Sequence, residues 1–185
     1  LSVSEMARED GLYPGMKISQ AKLLCPRMEV ISPRFDFYEQ VHKKLFYFIS
    51  KKYPVSETEG HGRVFIDFSG MENLLGPSID QAKVLQQEVK SSFNLNSLVG
   101  LAENKFVSKL AQQSLTEEKK ESSGFFVKEV APHDVRNFLA PWPVEVIPEV
   151  GDLSKKNHQP PEILKDLNLN EIKDIQLLPK EFVEI

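Results

Sequence analysis

The chain has 185 residues, of which 41% are hydrophobic and 27% charged, and it carries a formal net charge of −4. That length supports one compact domain with a real core and a small appendage, and the composition excludes disordered and fibrous classes. No apolar run approaches membrane-spanning length, no signal-peptide pattern is visible, and the lone Cys25 excludes an internal disulfide framework and fits a reducing cytoplasm.

The charge is unevenly placed. Residues 1–140 hold 18 acidic and 18 basic side chains, whereas residues 141–185 hold 9 acidic and 5 basic ones. A module that grips phosphate by itself should be basic, so strong independent nucleic-acid binding by the tail is not expected. The sequence starts at Leu1 and stops at Ile185, partway through an apolar pattern with no stop signal. The expectation is a segment of a longer protein.

In chain order, residues 4–10 read as the end of a helix with Gly11 as its C-cap. Tyr13-Pro14-Gly15-Met16 is a turn. Ser19 caps a short helix through Leu24, which Pro26 stops, leaving Cys25 as a small packed hydrophobe. Residues 29–31 read as a short extended piece ended by Pro33. From Phe37 to Lys52 the apolar period gives an amphipathic helix, with Val41, Leu45, Phe48 and Ile49 on one face. Residues 55–59 and 63–69 pair as a hairpin across Gly60-His61-Gly62. Ser78 to Phe93 is a second amphipathic helix, its stripe formed by Ile79, Ala82, Leu85, Val89 and Phe93. A strand at 97–102, a helix from Asn104 to Leu115, a charged loop at 116–123 and a strand at 125–130 follow. Pro132 then starts a short helix through Leu139. Beyond Pro141 the texture becomes proline-punctuated, with short helices at 161–167, 170–175 and 179–185, so a domain boundary falls near 141. Helices alternating with strands, one pair of them a hairpin, predict an α+β sheet with helices on one face.

Two stretches carry the most information. Gly62-Arg63-Val64-Phe65-Ile66-Asp67-Phe68-Ser69-Gly70 reads as a buried strand ending in a turn. Val99-Gly100-Leu101-Ala102-Glu103-Asn104-Lys105-Phe106-Val107 reads as a strand running into a helix. Together they resemble the palm of the Y-family (UmuC/DinB-like) translesion DNA polymerases. Four further stretches resemble that family in its order and spacing. Ala7-Arg8-Glu9-Asp10-Gly11-Leu12-Tyr13-Pro14-Gly15-Met16 and Ala21-Lys22-Leu23-Leu24-Cys25-Pro26 look like its fingers. Phe138-Leu139-Ala140-Pro141-Trp142-Pro143-Val144 looks like its entry to the thumb, and Ile163 to Pro179 like the thumb's helix-hairpin-helix region. The resemblance implies a polymerase-palm-like (ferredoxin-like) sheet at 35–140, a small helical fingers remnant at 1–34, and a helix-hairpin-helix-like thumb segment at 141–185.

The family's functional residues transfer poorly. Its palm motif usually reads S-I-D-E-A-[FY]-L-D, and the D-E pair helps hold catalytic magnesium; here Gly62 and Arg63 occupy those two positions. A glycine offers no ligand and a guanidinium repels a divalent cation. The position of a fingers tyrosine is Glu5, a phosphate-binding lysine falls near Thr116, and the thumb turn reads Pro148-Glu149-Val150-Gly151. The strand carrying the family's first metal-binding aspartate is not in this sequence. It lies in mid-sheet, so open backbone groups are expected on its neighbours, and poor stability unless a partner strand fills the gap. Loss of acids with retention of core patterning is the pattern of the ImuB-type branch, which lacks the acidic active site.

The remaining candidates are few. Arg8, Asn104, Lys105 and Lys109 are the nucleotide- or DNA-binding candidates, since Asn104 opens a helix after a strand where an anion can sit; Asn104 as a simple N-cap with solvated lysines is the competing reading. Asp67 is expected to cap the Ser69-Gly70 turn rather than to ligate metal. His61 beside Glu57 and Glu59 makes too weak a ligand set for a metal site. Trp142 is expected to anchor packing.

The resemblance therefore implies a non-catalytic adaptor in DNA repair or translesion synthesis, with no cofactor and no catalytic residue. Its partners would be weakly held DNA, a separate polymerase, a recombinase-like subunit and the sliding clamp, in the bacterial cytoplasm at the nucleoid. The alternative is a piece of an active, divergent translesion polymerase whose magnesium ligands lie outside this segment.

Overall fold

The computed structural model describes residues 2–118, 126–148, 164 and 166–179. The chain forms two compact units, Leu1–Lys43 and Lys44–Ile185.

In the first unit, helix α1 (Glu5–Glu9) starts at Ser4, whose Oγ accepts the Ala7 N–H at 3.4 Å. It ends against Gly11, whose φ of 87° is the left-handed conformation that glycine adopts without a Cβ penalty. Helix α2 (Ile18–Leu24) begins ahead of the expected cap. Lys17, with extended backbone and no side-chain bond, holds the N-cap position, so Ser19 falls inside the first turn. The Lys17 carbonyl already accepts the Ala21 N–H at 3.0 Å, and that bond sets the start. Leu12, Met16 and Ala21 are buried and draw Val3, Ala7, Cys25 and Met28 into a small core. Cys25 is half-buried there as expected, with its Sγ donating to Asp10 Oδ2 at 3.5 Å. Residues 29–31 pair with no strand among the described residues, because Val30 and Ile31 stay largely exposed and have no sheet to join.

Helix α3 (Phe35–Lys52) starts two residues before the apolar period does, and the unit division falls within it. In the second unit, β1 (Ser56–Thr58) and β2 (Val64–Ile66) form the expected antiparallel hairpin, with Glu57 opposite Phe65. Its tip turns on Gly60 (φ 62°) and Gly62 (φ 83°). A short helix, α4 (Glu72–Leu75), follows, and then α5 (Ser78–Phe93), which matches its expected bounds and ends at left-handed Asn94. β3 (Val99–Leu101), α6 (Lys105–Glu118) and β4 (Val127–Glu129) make a parallel crossover unit in which β3 pairs with β4. α6 extends through Thr116-Glu117-Glu118, past the helix end expected at Leu115, because nothing in that stretch breaks a helix. A 3-10 turn at Pro132–Asp134 leads into α7 (Val135–Leu139).

The fold is α+β, as expected, but among the described residues the strands form two separate pairs, β1–β2 and β3–β4, rather than one continuous sheet. α5 underlies both. Its Leu85 and Val89 pack with Ile49 and Tyr53 beneath Val64, Ile66 and Phe68. It also touches β3 and β4. Gln86, on the same helix, is buried and donates from Nε2 to the Ser97 and Phe126 carbonyls, both at 2.8 Å. A third cluster of Val107, Ala111 and Val130 seats α6 and α7 against β4. Past Pro141, a 3-10 turn at Val144–Val146 and helix α8 (Ile172–Gln176) are tied by backbone bonds from Val144 N–H to Asn170 and from Ile172 N–H to Trp142, at 3.0 and 2.8 Å. Glu171 and Asp174 form a capping box that starts α8. The flanking helices expected at 161–167 and 179–185 fall largely outside the described residues. No helix among the described residues is long and apolar enough to cross a membrane.

Candidate functional site

The hairpin tip and the start of α6 meet through charge. Asn104 caps α6, its Oδ1 accepting the Val107 N–H at 2.9 Å. Lys105 and Lys109, on the first two turns of α6, reach the hairpin. Lys105 Nζ lies 2.5 Å from Glu57 Oε1, and Lys109 Nζ lies 2.8 Å from Glu59 Oε1. The second oxygen of Glu59 receives Arg63 at 2.5 Å. One carboxylate therefore bridges two cations, and the hydrogen bond from Lys109, followed by that from Arg63, holds its pKa below the ordinary glutamate value. Glu57 and Glu59 occur two residues apart on β1 and its extension, so they emerge on the same face of the strand. That period was visible in Ser56-Glu57-Thr58-Glu59, yet its lysine partners, about fifty residues away, were not.

Asp67 does what its place before Ser69-Gly70 suggests. Its Oδ1 accepts the Ser69 N–H at 2.8 Å, and the Ser69 hydrogen bonds lower its pKa. Gly62 has no Cβ and a left-handed backbone, and Arg63 is tied to Glu59. A glycine, a paired guanidinium and two lysine-paired carboxylates are a donor set that does not fit magnesium. Among the described residues, no group of three or more His, Cys, Asp or Glu side chains is placed to hold a metal ion. His61 lies exposed at the hairpin tip.

Of the sequence-named binding residues, Asn104, Lys105 and Lys109 share the first two turns of α6. Arg8 sits exposed in the last turn of α1, in the first unit. The side chains of Glu5 and Thr116 and the turn at 149–151 lie outside the described residues. Trp142 is half-buried and its ring lies 6.0 Å from that of Phe138, the packing role expected of it.

A groove of about 1970 Å³ separates the two strand pairs. Its walls include Val64 and Ile66 on one side and Val99 and Gly100 on the other, with Ala82 and Leu85 of α5 beneath. Hydrogen-bond parity decides which backbone groups face it. The Asp67 N–H bonds to Val55 at 2.9 Å and the Glu59 N–H to Arg63 at 3.3 Å, so odd residues of β2 face β1. The N–H and C=O groups of Val64 and Ile66 thus lie on the other edge. In β3, the Val99 N–H bonds to Phe126 at 2.9 Å and the Leu101 carbonyl to Val130, which leaves Gly100 on the edge away from β4. Among the described residues no strand pairs with either of these two edges. At Gly100 α6 approaches the strand closely: a Cβ built there would lie 2.0 Å from the Ser108 carbonyl oxygen.

Comparison with known proteins agrees with this architecture. Residues 1–113 match the model of the impB/mucB/samB family. Over 181 residues the chain is 29% identical to DNA polymerase IV of Alkaliphilus oremlandii, covering 98% of this chain and 42% of that protein. It is 28% identical to DNA polymerase IV of Neisseria meningitidis serogroup B over 158 residues, 85% of this chain and 48% of the relative. The chain therefore spans less than half the length of these curated relatives. Among solved structures, DinB from Sulfolobus solfataricus superposes with a TM-score of 0.69 at 20% identity, covering 96% of this chain and 49% of that one. An insertion ternary complex of Dbh DNA polymerase superposes with a TM-score of 0.73 at 20% identity, covering 98% and 49%. The fold is thus that of these polymerases. Taken with the match over residues 1–113, it makes this chain a member of the impB/mucB/samB family, the Y-family of UmuC/DinB-like polymerase proteins.

Proposed function

We propose that this chain is a non-catalytic Y-family module of the ImuB type, an adaptor in DNA repair and translesion synthesis. One observation carries the reading: where the family's palm holds a carboxylate pair, this hairpin presents Gly62 and an Arg63 already paired to Glu59. Two-metal phosphoryl transfer needs carboxylates converging on ions about 3.5–4 Å apart, and the acids nearest this tip, Glu57 and Glu59, are engaged by Lys105 and Lys109. DNA contact in this reading is weak and runs through Arg8, Asn104, Lys105 and Lys109. The remaining partners are a separate polymerase, a recombinase-like subunit and the sliding clamp, at the bacterial nucleoid. The fingers, palm and thumb segments at 1–34, 35–140 and 141–185 serve as the scaffold. The test is primer extension by the purified chain with magnesium and nucleotides. No extension is expected, and template-dependent extension by a clean sample refutes the reading.

A second reading is favoured by the names of the relatives, which are DNA polymerase IV. In it the chain is a piece of an active, divergent translesion polymerase, and the missing acids come from elsewhere in a longer protein. Under this reading the intact protein extends primers, and Gly62→Asp with Arg63→Glu raises its rate. Under the adaptor reading neither happens.

A further inference from the structure

We propose that the β1–β2 hairpin is an electrostatic latch on α6: Glu57 and Glu59 occupy Lys105 and Lys109, and a polyanion must displace them to bind there. The inference rests on the assignment of these lysines to DNA contact, and it adds the element that controls it.

Three features support the latch. First, the pairing is between distant segments of the chain, with fifty residues between Glu59 and Lys109, so the fold and not local sequence makes it. Second, the two acids are delivered as a rigid pair. Glu57 sits in a hydrogen-bonded pair of the β1–β2 ladder, and the Glu59 N–H closes the next rung on Arg63. Carboxylates so held mimic two successive phosphates, each meeting one lysine on consecutive turns of α6. Third, Glu59 spends its second oxygen on Arg63, so releasing this one carboxylate exposes two cations. With Glu57 displaced as well, the cluster presents three unpaired positive charges, from Arg63, Lys105 and Lys109, at the start of a fourteen-residue helix whose dipole favours anions.

The pairs are partly exposed, with side-chain exposures of 63% and 55% for Lys105 and Glu57 and 32% and 45% for Lys109 and Glu59. Exposed pairs are weak and screened by salt. The latch is therefore one that a nucleic-acid backbone can open, and its effect shrinks as ionic strength rises.

The experiment measures the affinity of the full chain for labelled primer–template DNA by fluorescence anisotropy at low salt. The variants are E57Q/E59Q, K105Q/K109Q, the quadruple variant, and D80N/D134N, which removes the same charge from sites that do not contact α6's lysines. We expect E57Q/E59Q to bind about three- to tenfold more tightly than the wild type, in line with two released exposed pairs. D80N/D134N should change affinity less than twofold, and the quadruple variant should lose the gain. A gain no larger than that of D80N/D134N overturns the latch, as does a gain that survives without the two lysines. The two readings separate cleanly. If K105Q/K109Q weakens DNA binding while E57Q/E59Q gives no specific gain, the contact stands and the latch falls. If the wild type does not bind but E57Q/E59Q does, through the lysines, the latch stands and the contact in the resting protein falls. If no variant binds, both fall. Circular dichroism melts of each variant exclude misfolding as the cause.

Discussion

Gly100 offers the sharpest test of the architecture, because its requirement is steric and not conformational. An alanine there would place Cβ 2.0 Å from the Ser108 carbonyl oxygen, 2.7 Å from the Gln112 nitrogen and 3.0 Å from the Ser108 carbonyl carbon. Ordinary contact begins near 3.4 Å, so α6 must retreat from β3 by more than an ångström. All three obstructing atoms are backbone, and no rotamer change relieves them. Overpacking a tight site costs about 1–3 kcal/mol and more when backbone must move, so Gly100→Ala should cost about 3 kcal/mol or more. Against a total stability of about 5–15 kcal/mol and a urea slope of about 1–3 kcal/mol/M, the midpoint should fall by about 1 M or more. Gly60→Ala is the reference. Its φ is 62° but nothing lies within 4 Å of the added methyl, so only backbone strain of about 1–2 kcal/mol is expected. Urea unfolding of both variants, followed by circular dichroism, decides the matter. A Gly100→Ala midpoint at or above that of Gly60→Ala would refute the close approach of α6 to β3, and with it the placement of Lys105 and Lys109.

Four further expectations follow. Gln86→Leu removes the donor shared by the Ser97 and Phe126 carbonyls and should cost about 1–3 kcal/mol; Gln86→Glu, which faces a carboxylate toward two carbonyls, should cost more at pH 7 and recover as the pH falls, and equal effects at all pH values would contradict the bonding. The Glu59 carboxyl is held low by Lys109 and Arg63, so its folded pKa lies below its unfolded one. Its stabilisation is full above the unfolded value of about 4.3 and is lost as the pH falls through the folded value, and a carboxyl NMR titration of Glu59 with a midpoint at or above that unfolded value would contradict the bridge. Hydrogen exchange should separate the strands by parity: the N–H groups of Val64, Ile66 and Gly100 should exchange quickly while those of Val99 and Asp67 are protected, whereas strong protection of the first set would mean that the groove is already filled. Finally, the 185-residue chain should unfold in a single transition near the low end of the usual stability range of about 5–15 kcal/mol, given two strand pairs with open edges; a high-temperature transition of the monomer would count against the open groove.

The elements legible in the sequence were those with a strong period or a decisive punctuation residue. α5 ran over its expected residues because Pro77 and Asn94 bracket an unbroken apolar stripe. Asp67 and Asn104 were readable as caps because a short polar side chain beside a turn or a helix start has few other partners. Ser19 misled because capping propensity ranks residues but does not choose among neighbours, and the Lys17 backbone was already extended. Gln86 lies on a stripe otherwise apolar, and its spacing from Ala82 and Val89 puts it on the buried face. A polar side chain there is informative only once the carbonyls it meets are known.

That Gly62 and Arg63 bring no carboxylate to the hairpin tip was legible in the sequence alone, since a side chain's chemistry is a local property. So were the α+β alternation and the hairpin, which follow from the spacing of apolar residues and two glycines. Tertiary structure decided everything that depends on distance along the chain. It put Glu57 and Glu59 against lysines about fifty residues away, it separated the strands into two pairs with a groove between them, and it made Gly100 a contact point for α6. Periodicity reports which face of an element is buried. It carries no information about which other element buries it, and charge pairing and strand order are properties of that second choice.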